Sequence, residues 1–138
     1  MNMAVRHLLD TSVYSQPLRK KPVPSVVARW RKLGDASLCV SVLCKAEVLQ
    51  GLEAKDSPSL WDRYRELLEG RLPVLDVTVE VARTYASLAG PLIRSGLPRP
   101  VMDLLIAATA RSAGLVLATL NPRHFRGIEG LAVEDWSR

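Results

Sequence analysis

The chain has few of the features that would place it outside ordinary globular proteins. Its 138 residues contain no apolar run near the ~18–20 residues that a membrane span requires. The opening MNMAVRHLLDTSV lacks a long apolar segment and carries Asp10 early, so a secretory signal is not expected and the expected location is the cytoplasm. Two cysteines, Cys39 and Cys44, are too few for a disulfide framework and lack the CxxC spacing of a zinc site. His7 and His124 have no paired ligand motif either. No glycine follows the first apolar segment in DTSVYSQ, which excludes a dinucleotide-binding turn. No internal repeat or low-complexity tract is present.

What is present is close to a globular average: 48% hydrophobic and 24% charged residues exclude a disordered chain, a collagen-like repeat and a coiled-coil rod. The length suits about one domain. Charge departs from the average. Nineteen Lys+Arg against fourteen Asp+Glu give +5, which favours anionic partners, nucleic acid first. No acid lies between Asp10 and Asp35, whereas Arg19, Lys20, Lys21, Arg29, Arg31 and Lys32 all do. That stretch reads either as a solvated helix face with a basic turn or as a rim that attracts phosphate.

Short apolar runs at 4–9, 38–42, 73–77, 115–119 and 131–135 read as strands. Helical periodicity falls between them. Val26, Val27 and Trp30 mark a helix over 24–33 that Gly34 stops. Val42, Ala46 and Leu49 predict the apolar face of a helix over 42–52, and Leu60, Trp61, Tyr64, Leu67 and Leu68 that of a helix from Pro58 to Gly70. A stripe from Val81 through Ala82, Tyr85, Leu88, Ala89 and Leu92 to Ile93 predicts a long helix over 79–96, kinked at Pro91. The helix over 101–114 is apolar on most sides and expected to be buried. DTS and NPRHFRGIEG read as loops. Strands alternating with helices predict an α/β sandwich around a four- to five-stranded, mainly parallel sheet.

In such folds ligands sit beyond the carboxyl ends of the strands, where the strand order reverses. Asp10 directly follows the first strand, Glu47 lies one turn into the helix after the second, and Asp103 lies in the first turn of the buried helix before the fourth. Each has an ordinary reading: Asp10 capping its turn, Glu47 a half-exposed helix carboxylate, Asp103 offsetting a helix dipole. Read together, they converge at one end of the sheet. Converging carboxylates stay ionised when a multivalent cation neutralises them, and oxygen-only ligands select Mg²⁺ or Mn²⁺. A carboxylate-held divalent ion beside a basic rim suits phosphodiester hydrolysis. A phosphoacceptor of dehalogenase type needs an Asp where Ser12 stands, and a receiver needs an acidic pair and a late lysine that are not evident.

The segments LLDTSV (8–13), SVLCKAEVLQGL (41–52), VMDLLIAATARSAGLVLAT (101–119) and NPRHF (121–125) resemble, in order and spacing, the PIN-domain ribonucleases and within them the VapC-type toxins of bacterial toxin–antitoxin pairs. The resemblance implies that residues 1–138 form one PIN domain, an α/β/α fold holding Mg²⁺ or Mn²⁺ and cleaving single-stranded segments of RNA. It implies Asp10 and Asp103 as direct metal ligands and Glu47 as a ligand through water or the group that orients the attacking water. Ser12 matches a hydroxyl near the metal, and Thr119 and Asn121 match polar residues lining the site. It further implies a homodimer inhibited by a small VapB-type antitoxin whose arginine enters the acidic groove. In one departure, the fourth acid that the family commonly places at Asn121 or His124 is missing, which weakens a second metal site. A module that binds RNA or antitoxin with little turnover is the alternative that this departure motivates. His124 is read as a loop residue beside Phe125, or as a group for RNA phosphate or the leaving group. Trp30, Trp61 and Tyr64 read as core or as a groove for a partner helix.

Overall fold

The computed structural model describes residues 5–138; position 4, the first residue of the first expected strand, lies outside them. Five strands form one sheet: β1 (His7–Leu9), β2 (Leu38–Ser41), β3 (Val74–Leu75), β4 (Val116–Thr119) and β5 (Val133–Asp135). All neighbours are parallel and the order is β3-β2-β1-β4-β5. Leu8, Leu9, Leu38, Cys39, Val40, Leu117 and Ala118 are fully buried. Continuous apolar runs of this kind are the mark of parallel strands covered on both faces. Burying each of the leucines contributes roughly 2 kcal/mol.

Six helices cover the sheet: α1 (Thr11–Tyr14), α2 (Pro24–Leu33), α3 (Val42–Lys55), α4 (Pro58–Leu67), α5 (Val79–Arg94) and α6 (Val101–Ser112). Pro24 opens α2 at a position where its missing N–H costs nothing. Ser41 caps α3 by accepting the Cys44 N–H at 3.1 Å. Gly114, with φ of 67°, ends the α6 segment, and the Leu115 N–H returns to the Ala110 carbonyl. Small residues let α6 lie deep: Ala107, Ala108, Thr109 and Ala110 are all within 1% of full burial. The expected α/β/α sandwich is therefore the observed one.

Several local expectations differ from the structure. The DTS segment is the start of α1 rather than open loop, because Asp10 caps it through the Thr11 N–H. NPRHF contains a 3-10 turn over Pro122–Phe125. The buried residues of α3 are Cys44, Val48 and Leu52; of the expected face, Leu49 packs half-buried against the core, Val42 is half-buried and Ala46 is exposed. Ile93 is 65% exposed, so the buried stripe of α5 stops before its last turn. That helix continues through Pro91 to Arg94. Trp30 and Tyr64 are core residues. Cys39 and Cys44 are free and buried, in β2 and at the start of α3 as expected.

Candidate active site

The chain runs from β1 outward to β2 and β3, then returns to place β4 on the other side of β1. The strand order therefore reverses between β1 and β4, and their carboxyl ends flank a crevice. Asp10 leaves β1 at that point and Thr119 ends β4 beside it.

Asp10 is 8% exposed and enclosed by donors. Its Oδ1 accepts the Thr11 N–H at 2.8 Å. Its Oδ2 accepts the Thr119 hydroxyl at 2.7 Å and the Ser12 hydroxyl at 3.1 Å. Ser12 Oγ in turn accepts the Leu120 N–H at 3.0 Å, and Thr119 Oγ1 accepts the Asn121 N–H at 2.9 Å. Two hydroxyls thus lock the end of β4 onto the start of α1 through one carboxylate. A carboxylate offers about four lone-pair sites, so this cradle leaves capacity for one further bond.

Glu47 reaches the same region from α3. Its Oε1 accepts the Thr11 hydroxyl at 2.5 Å. Asp103 stands in the first turn of α6, where its charge also offsets the helix dipole. Burial pushes its carboxyl above the ordinary value and the nearby Asp10 charge adds to this, against the opposing pull of His124 and Arg99. His124 Nδ1 lies 3.8 Å from Asp103 Oδ2. Beneath the acids, burial pushes the Cys44 thiol up to about 11, with Asp10 and Glu47 adding to the rise and hydrogen bonds from Ser41 and Thr11 opposing it.

The three acids accordingly gather at one end of the sheet, but they do not form a closed ligand set. Among the described residues no three His, Cys, Asp or Glu side chains are disposed to hold a metal ion. Thr11 engages a Glu47 oxygen, and three donors engage Asp10. Among the described residues neither Asp10 nor Glu47 is paired with a lysine or arginine. Unpaired charge, oxygen-only donors and a carboxylate disfavoured by its acidic neighbour fit a hard divalent cation.

Asn121 contributes its backbone N–H to the cradle. His124 does pack beside Phe125, with ring centroids 6.4 Å apart, and also faces Asp103. Asp135, in register with Thr119, turns to the Ser137 N–H and Arg138 and takes no part. Sequence reasoning missed Thr11, whose only signal was its place next to Asp10. It also missed Arg99, which donates to the carbonyls of His124 and Arg126 and pins the loop after β4.

In a parallel α/β/α protein, carboxylates gathered where the strand order reverses stand where such folds place their ligand and active sites. The sequence profile of the PIN domain matches residues 7–131, and the chain belongs to the PIN-domain family. It is 33% identical over 136 residues to the tRNA(fMet)-specific endonuclease VapC of Shigella flexneri, covering 96% of this chain and 99% of that protein. Ribonuclease VapC2 of Haemophilus influenzae is 28% identical over 132 residues, covering 96% and 98%. Among solved structures, the DNA-bound VapBC complex of Salmonella typhimurium superposes with a TM-score of 0.80 at 31% identity, covering 96% and 98%. FitAcB of Neisseria gonorrhoeae superposes with a TM-score of 0.84 at 29% identity, covering 94% and 97%.

Proposed function

We propose that this chain is a VapC-type endoribonuclease, the toxin of a toxin–antitoxin pair, dependent on Mg²⁺ or Mn²⁺. The observation that carries this reading is the Asp10 carboxylate at the β1/β4 crevice, held by the Thr11 N–H and the Ser12 and Thr119 hydroxyls, with Glu47 brought to Thr11 from α3. VapC ribonucleases aligned over nearly their full length support the reaction, and the VapBC and FitAcB complexes support an antitoxin partner. A small VapB-type antitoxin and a homodimeric toxin belong to the same reading.

Asp10 and Asp103 would hold the cation. Such an ion supplies positive charge to a phosphodiester oxygen and makes a bound water more acidic. Ser12 and Thr119 fix the Asp10 carboxylate, so little reorganisation is needed as charge develops. Glu47, steered by Thr11, is the carboxylate left to accept a proton from the attacking water. The Asn121 N–H ties the loop after β4 to Thr119 and keeps that side of the crevice in place.

The missing acid at Asn121 and the His124 ring beside Asp103 favour a second reading, a module that binds RNA or antitoxin with little turnover. RNA cleavage with Mg²⁺ or Mn²⁺ separates the two. Wild type should cut, and Asp10→Ala and Asp103→Asn should not. The metal-free Asp103→Asn protein should melt no lower than wild type, because the substitution removes a carboxylate that burial and Asp10 both disfavour. Binding without cutting in every metal would leave the module reading standing.

A further inference from the structure

The loop after β4 carries one imidazole to the acid site. The Asn121 carbonyl opens the 3-10 turn over Pro122–Phe125 and accepts the His124 N–H at 3.0 Å. The Arg99 guanidinium forks onto the carbonyls of His124 and Arg126 and holds the turn against the connection into α6. The His124 ring leans on the ring of Phe125, which is buried. With its backbone held on both sides, His124 stands with Nδ1 3.8 Å from Asp103 Oδ2.

That separation is too long for a hydrogen bond. As an ion pair it contributes little, because the His124 side chain is 56% exposed. It does suit two donors of one cation. Ligand distances of about 2.1 Å place two donor atoms about 3.0 Å apart when they are adjacent and about 4.2 Å apart when they are opposite. No three side chains are preformed as a ligand set among the described residues, but Asp103 and His124 are already spaced for a shared ion. The exposed ring can also turn toward an ion without disturbing the core.

We propose that His124 supplies a nitrogen ligand, through Nδ1, to the cation that Asp10 and Asp103 hold, and that this nitrogen biases the site toward transition-metal ions such as Mn²⁺ and away from Mg²⁺. The inference rests on the nuclease reading for the presence of the ion, but not for the identity of this donor. Carboxylates serve Mg²⁺ and Mn²⁺ alike, whereas imidazole suits first-row transition ions. Mg²⁺ is a hard ion that takes oxygen and gives up its water reluctantly. A site with one imidazole among its carboxylates therefore separates the two ions where a site of carboxylates alone does not.

The sequence makes this donor easy to identify. The chain has two histidines. His7 is buried in β1, with Nε2 3.0 Å from Glu134 Oε1. His124 is thus the histidine open to a bound ion.

The test uses untagged protein loaded with Mn²⁺. Electron spin-echo envelope modulation reads nitrogen bound directly to Mn²⁺, and displacement of Mn²⁺ by Mg²⁺ reads selectivity. Wild type should show a directly bound nitrogen. His124→Ala should lose that signal and bind Mn²⁺ about tenfold or more weakly, with a smaller loss for Mg²⁺. His124→Asp should also lose the signal but keep Mn²⁺ bound, and Mg²⁺ should displace that Mn²⁺ at a lower concentration than in wild type. Both variants should melt with the wild type in the absence of metal, because the ring is exposed.

A nitrogen signal that survives in His124→Ala overturns the proposal, as does wild type that binds Mn²⁺ without one. Either result leaves the oxygen-held ion and the nuclease reading in place. Equal losses of Mn²⁺ and Mg²⁺ affinity in His124→Ala also overturn it. Wild type that binds no Mn²⁺ overturns the proposal and the cation reading together.

Discussion

Thr119→Val probes the cradle directly. Thr119 is fully buried, donates to Asp10 Oδ2 at 2.7 Å and accepts the Asn121 N–H at 2.9 Å. Valine keeps the shape and removes both bonds. A hydrogen bond to a charged group contributes about 1.5–3 kcal/mol. The added methyl returns roughly 0.8 kcal/mol by burial. For the charged bond alone the net loss is about 0.7–2.2 kcal/mol, which for a domain of this size lowers the melting temperature by about 2–8 °C, and loss of the Asn121 bond adds to it. Calorimetry of the metal-free protein at neutral pH reads this loss. The control is a double-mutant cycle. In an Asp10→Ala background Thr119→Val should cost far less, because the charged acceptor is gone, leaving a coupling of about 1–2 kcal/mol. A Thr119→Val melt within about 1 °C of wild type, or an equal loss in both backgrounds, would refute the idea that the hydroxyl cradle stabilises Asp10.

Two further outcomes follow, one from an ion pair away from the site and one from the two buried thiols. Burial raises the Asp35 carboxyl, but hydrogen bonds from Arg71 at 3.0 Å and Trp30 at 2.7 Å outweigh it and leave the pKa below the ordinary 3.8. A depressed acid stabilises the fold above its unfolded pKa and loses that contribution as pH falls through the folded value. Asp35→Asn should therefore lower the melting temperature at neutral pH and bring the two proteins together below pH 3.8, read from melts across pH. Burial pushes Cys39 up to about 12 and Cys44 up to about 11, so neither thiol should react with Ellman's reagent in the native protein, and both should react in denaturant. Rapid labelling of the native chain would contradict their burial.

The sheet was legible in the sequence because each parallel strand is a short unbroken apolar run, as at Leu8–Leu9 and Leu38–Val40. The helix over 24–33 was equally plain, since Pro24 and Gly34 mark its ends chemically. The inward face of α3 was not. Val42, Ala46 and Leu49 recur with helical spacing, and so do Cys44, Val48 and Leu52. Periodicity alone cannot choose between two such stripes. Ile93 shows the same limit, because an apolar residue in register with a core stripe is exposed once the helix outruns the layer beneath it.

At the site, the neighbourhoods of Asp10 and Asp103 could be anticipated from strand ends and a buried helix start. The Thr11–Glu47 bond joins residues 36 apart, and the Arg99 contacts join elements across a reversal of the chain. Neither leaves a local trace.

Titration with Mn²⁺, followed by the loss of the free-ion electron paramagnetic signal, addresses the shared cation itself. Wild type should take up Mn²⁺, Asp10→Asn and Asp103→Asn should lose that uptake, and Glu47→Gln should retain it with weaker affinity. Equal uptake by wild type and both aspartate variants would contradict the account.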